Sequence, residues 1–100
     1  MTVKVEELTT YDFENVTVGA SAVGVDLAKA LATPPALRVE VYIESAQIRH
    51  RRDGTDPTSS VGEVLSPNDR LILNNSGDIV NFRAIRTGGS SATLRIHFMR

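Results

Sequence analysis

The sequence predicts an all-β fold, a small sandwich of immunoglobulin- or fibronectin-like or jelly-roll-like type. Three observations predict it. Period-two alternation of apolar and polar residues dominates the chain. Turn residues separate short alternating runs, which gives about seven strands at regular spacing. One hundred residues bound a single domain, residues 1–100, with a modest core.

Taken in order, "TVKVEEL" and "FENVTVGA" read as strands carrying Val3, Val5, Val16 and Val18, and residues 1–12 are a candidate N-terminal arm. "AVGVDLAKALATPP" fits two patterns. Val23, Leu27 and Leu31 have helical spacing with Asp26 as a cap, while Val23, Val25 and Leu27 fit a strand. The all-β context favours a strand or an irregular segment, ended by Pro34-Pro35. "RVEVYIES" places Val39, Val41 and Ile43 on one face. "AQIRHR" places Ala46, Ile48 and His50 on one face, so the apolar phase moves from odd to even numbers near Ser45. A slip of one residue turns every side chain over. A bulge, a bend or a change of sheet is therefore expected at Ser45.

"RLILN" is a short strand around Leu71 and Leu73. "IVNFRAIR" alternates with Val80, Phe82 and Ala84 inward, and "ATLRIHFM" with Ala92, Leu94, Ile96 and Phe98 inward. Together these last two read as a hairpin with Gly88-Gly89 in its turn.

The net charge of −1 lacks the basic footprint that general nucleic-acid binding needs. No apolar run approaches the ~20 residues of a membrane span. "MTVKVEELTTYDF" has no apolar signal core, and a cytoplasmic product is expected. The chain has no cysteine, which excludes disulfides, thiol catalysis and cysteine-based zinc sites. Charge is uneven: residues 1–44 carry net −4 and residues 45–100 net +3. Nine of the eleven basic residues are Arg, the type suited to bidentate contacts and interfaces. Either the halves neutralise each other within one fold, or copies of the chain pair acidic against basic surfaces.

Acid–base catalysis needs two carboxylates at one substrate. Glu6-Glu7, Asp12 with Glu14, and Glu40 with Glu44 qualify by spacing, but Glu40 and Glu44 share a polar strand face. The only histidines are His97, in a polar phase, and His50, in an apolar phase; a structural role outweighs a catalytic one for both. No spacing supports a metal site, and no cofactor is expected. "RTGGSS" lacks the lysine and the strand-to-helix context of a phosphate loop. "DGTDPTSSVG" has too few in-phase oxygens for a calcium loop. It reads instead as a structural turn built on Asp53, Gly54, Asp56 and Pro57. Arg49, Arg51, Arg83 and Arg95 fall on non-core faces and would form one basic stripe if their strands are neighbours. The stripe either pairs with nearby acids or, with Arg86 added, contacts other subunits.

Two resemblances bear on this loop. Over residues 38–100 the chain resembles a family of small structural proteins of tailed bacteriophages. The matching features are the segment Ile48 to Thr58, Val61-Gly62, Asp69 to Leu73, Phe82 to Gly88, and Ala92 to Arg95, in that order. A shorter stretch, "IRHRRDGTDPTSS", is similar to the chitobiase-type C-terminal modules, which are fibronectin-III-like sandwiches. It departs from them in having His50 and Arg51 where aromatic and Thr residues are usual, and the chain has no Trp for a sugar-stacking platform.

The phage resemblance implies a non-enzymatic virion protein, a capsid decoration or cement-like piece or a head, neck or tail accessory. It would be made in the host cytoplasm and bind in multiple copies to the major capsid protein or to a neck or tail component. Homo-oligomers are expected, and neither nucleic acid nor membrane is an expected partner. Arg49, Arg51, Arg83, Arg86 and Arg95 are the candidate contacts. The competing reading is a host-surface or carbohydrate-binding sandwich module, which requires exposed aromatics gathered on one face.

Overall fold

The computed structural model of the protein describes residues 7–100. The elements run β1 (Thr10–Val18), α1 (Leu27–Ala30), β2 (Arg38–Glu44), β3 (Ile48–Arg51), β4 (Glu63–Leu65), β5 (Arg70–Leu73), α2 (Ser76–Asn81), β6 (Arg83–Arg86) and β7 (Ala92–Met99). Two antiparallel sheets form, one ordered β1-β7-β2-β5 and one ordered β4-β3-β6. The fold is therefore the expected all-β sandwich of seven strands.

Alternation in the sequence becomes the core directly. Val39, Val41 and Ile43 of β2 and Leu94, Ile96 and Phe98 of β7 point inward and are buried. Ile48, His50, Phe82 and Ala84 close over them from the second sheet side. Each such aliphatic or aromatic side chain contributes about 1.5–3 kcal/mol when fully buried. Ser45 has a positive φ of 79°, and at this residue the chain leaves the four-stranded sheet and enters the three-stranded one. The change of apolar phase is thus a change of sheet.

Three expectations need correcting. The stretch from Leu27 forms a one-turn helix, because the Asp26 carboxylate accepts from the amides of Ala28 (2.9 Å) and Lys29 (3.4 Å). Val23 nevertheless bridges Ala84 like a strand residue, so both patterns in this segment are used. Second, residues 76–81 are helical. The Asn75 side chain caps the Asp78 amide at 2.9 Å, Ile79 is buried, and Val80 is exposed rather than inward.

Third, β6 and β7 do not form a hairpin: β6 pairs with β3 and β7 pairs with β1 and β2. A two-residue turn at Gly88-Gly89 would set Ala84 opposite Thr93 and throw the two apolar faces to opposite sides. The glycine segment instead arches from one sheet to the other. As for the candidate arm 1–12, residues 1–6 lie outside the described residues, with Val3 and Val5 among them. Thr10 and Asp12 are paired residues of β1.

Candidate functional site

The candidate contact residues divide between the two outer faces of the sandwich. On the three-stranded sheet, Arg51 and Arg83 are directly opposite each other across β3 and β6. Two like charges in that arrangement repel. The loop 52–62 resolves the conflict by supplying one carboxylate to each. Asp53 takes Arg51 in a two-pronged pair, with Nε to Oδ1 at 3.1 Å. Asp56 accepts from Arg83 Nε at 3.0 Å, and Arg83 Nη2 also donates to the Ala22 carbonyl. Arg51 holds the Asp53 carboxyl below the usual carboxylate range, and Asp53 pushes the Arg51 guanidinium up in return.

Arg49 ties down the other end of the loop, donating to the carbonyls of Ser59 (3.1 Å) and Gly62 (2.8 Å). Pro57 is buried beneath it. Gly62 is required at its position. Its φ is 135°, and a Cβ there would lie 3.0 Å from the His50 carbonyl oxygen and 3.2 Å from both Arg49 and Pro57 side chains. Gly54, with φ 88°, makes the tight turn between the two aspartates. The turn residues Asp53, Gly54, Asp56 and Pro57 therefore fold the loop back on its own sheet.

Arg86 is opposite the buried Ile48, so it has the inward phase at the end of β6 and is not part of this group. Arg95 lies on the other sheet altogether, where it donates to Glu44 (3.0 Å) and Asn15 (2.8 Å). The expected stripe of Arg49, Arg51, Arg83 and Arg95 therefore does not form.

Among the described residues, no loop covers the outer face of the four-stranded sheet. Its residues fall in rows set by the strand register. One row reads Phe13, His97, Glu40, Ile72 from β1 to β5, and the next reads Asn15, Arg95, Tyr42, Arg70. Phe13 is 42% exposed and Ile72 43%, large values for apolar side chains in strands. The Phe13 ring meets the His97 ring edge-on at 4.9 Å. Glu40 pairs loosely with Arg70 at 3.7 Å, and the Tyr42 hydroxyl donates to Asn68 at 2.8 Å. A shallow groove of about 470 Å³ runs between Tyr42, Arg70, Arg95 and His97. Both ion pairs on this face join the acidic N-terminal half to the basic C-terminal half.

His50 is sealed in the core, 2% exposed and 5.8 Å from the Phe82 ring, and its Nδ1 has no hydrogen-bond partner among the described residues. Burial lowers its pKa and keeps it neutral. Among the described residues no three His, Asp or Glu side chains converge to hold a metal ion. Of the carboxylate pairs, Asp12 is taken by Lys29 at 3.2 Å, and Glu14 accepts the Asp26 amide at 3.1 Å. The Phe13 amide and Lys29 hold Asp12 low, while burial pushes Glu14 up.

Phe13, Ile72, His97 and Tyr42 are the surface residues that reading for charge overlooks. The available signal was an apolar residue in the outward phase of a strand, visible at Phe13, Ile72 and Met99. No family model matches the chain, and comparisons with curated proteins and with solved structures return no significant match either.

Proposed function

We propose that this chain is a non-enzymatic structural protein of a tailed-bacteriophage particle. It binds in multiple copies to the major capsid protein or to a neck or tail component, as a decoration or cement protein does. The observation that carries the reading is the open outer face of the four-stranded sheet, where Phe13 and Ile72 are exposed among ion-paired side chains. A face of mixed aromatic, aliphatic and arginine character suits contact between proteins. The ordered resemblance across residues 38–100 supplies the particle. Electron microscopy of purified phage particles labelled with an antibody to this chain tests it. Regular labelling of heads, necks or tails is expected; unlabelled particles in a lysate rich in the chain contradict the reading.

A second reading is a carbohydrate-binding module on a host surface. It is favoured by one specific placement: Phe13 and Tyr42 share the open face, beside the Glu40 carboxylate and the groove. Aromatic faces and carboxylates are the groups that grip sugars. A glycan array probed with purified protein separates the two, since the structural reading expects no saturable glycan.

A further inference from the structure

We propose that the open face of the four-stranded sheet docks a second copy of this chain, about a two-fold axis running along the strands between β7 and β2. The proposal deepens the assembly reading above by naming the occupant of that face.

Rotation about such an axis lays β7 of one copy over β2 of the other, and β1 over β5, while each row keeps its level. In the first row, His97 then faces Glu40 of the second copy, and Phe13 faces Ile72, each contact made twice. An imidazole donor meets a carboxylate acceptor, and the two most exposed apolar side chains of the face cover each other. In the next row Arg95 comes over the Tyr42 ring, a cation–π arrangement, and Asn15 comes over Arg70. At the row ends Met99 comes over the Arg38 stem and Thr93 over Glu44. No row sets two like charges together. Moving the axis by half a strand, onto β7 itself, would stack Arg95 on Arg95.

This is isologous pairing, in which one patch complements itself. Two sheets packed in this way keep their strands nearly aligned, about 10 Å apart. The groove beside Tyr42 gives the facing Arg95 room to enter. A face four strands wide and about seven residues long measures roughly 19 by 23 Å, about 440 Å² per copy, below the size of a standard stable interface. Pairing of the free protein is therefore weak, and many-copy display on a lattice would reinforce it.

The test is sedimentation velocity of the isolated full chain over a concentration series, with no particle present, so its outcome is independent of the phage assignment. Wild type should show reversible dimerisation. Glu40→Arg and His97→Glu should each weaken it about tenfold or more, because each spoils the same contact twice. Mixing the two variants should restore association as a heterodimer. The guanidinium introduced at position 40 of one chain then meets the carboxylate introduced at position 97 of the other, while the native pair survives at the second contact. If either single variant fails to fold by circular dichroism, Phe13→Glu mixed with Ile72→Lys asks the same question at the apolar contact. A wild type that stays monomeric, single variants that associate normally, or a mixture that fails to recover would each overturn the proposal. A monomer that binds an oligosaccharide through this face would overturn it in favour of the second reading.

Discussion

On the three-stranded sheet, Arg49, Arg51 and Arg83 are tied to the loop that follows β3, through Asp53, Asp56 and two carbonyls of that loop. On the four-stranded sheet, Arg70 and Arg95 stand with Glu40 and Glu44 in the open, alongside exposed Phe13 and Ile72. Both groups face away from the core and are similar in composition. What separates them is the loop of eleven residues from Arg52 to Gly62. The arginines find carboxylates on both sheets, from the loop that follows β3 on one and from the neighbouring strand β2 on the other, and only the first sheet has that loop folded against it.

The contrast can be broken most forcefully at Gly62. Gly62→Val forces a side chain into a positive-φ site against the His50 carbonyl and should cost on the order of 3 kcal/mol by chemical denaturation. The matched change on the other face, Phe13→Ser, should stay within about 0.5 kcal/mol. Arg49→Ala comes next. It leaves two loop carbonyls without their charged donor and should cost about 2 kcal/mol, with new proteolytic cleavage in residues 52–62.

The buried His50 adds a pH signature to the covered side. Burial puts its folded pKa below its unfolded value, so its full contribution is present above the unfolded value. The unfolded chain takes up a proton as pH falls through about 6.5 while the native state does not. Stability should therefore decline from roughly pH 7 downward, and His50→Phe should flatten that decline. Glu14, pushed up by burial, works in the opposite direction, but it is common to both proteins and cancels in the comparison. The depressed carboxyls of Asp12 and Asp53 lose their contributions only at lower pH, from about 4 downward. The open face again gives a small effect: Arg95→Ala removes a half-exposed pair with Glu44 and should cost less than about 1 kcal/mol in urea melts.

Much of the fold was legible because alternation has a physical cause. The odd-to-even switch at Ser45 marks the passage between sheets, and the inward residues of β2, β3, β5 and β7 follow from parity alone. Besides the helical turn from Leu27, two segments were misread where local patterns compete. "IVNF" alternates like a strand, yet the Asn75 cap and the buried Ile79 hold it in a helical turn. Gly88-Gly89 looks like a hairpin turn, but the pairing partners of β6 and β7 lie far away in sequence.

The site was harder to see. Parity correctly put Arg49, Arg51, Arg83 and Arg95 outward, but parity cannot say which sheet a strand joins. It therefore could not separate Arg95 from the rest, and it could not show that Asp53 and Asp56 are spaced to meet Arg51 and Arg83. Arg86 is a different case: its inward phase follows from its number, two beyond Ala84.

The claim that one face is closed by its own loop and the other is the contact surface has a direct measurement. A dilution series of amide NMR spectra of the wild-type chain reports which residues change environment on association. The expected result is concentration-dependent shifts at Phe13, Glu40, Ile72 and His97, with Arg49, Arg51, Asp53 and Arg83 unmoved. Shifts confined to residues 49–62 and 83, with the four-stranded face silent, would contradict it.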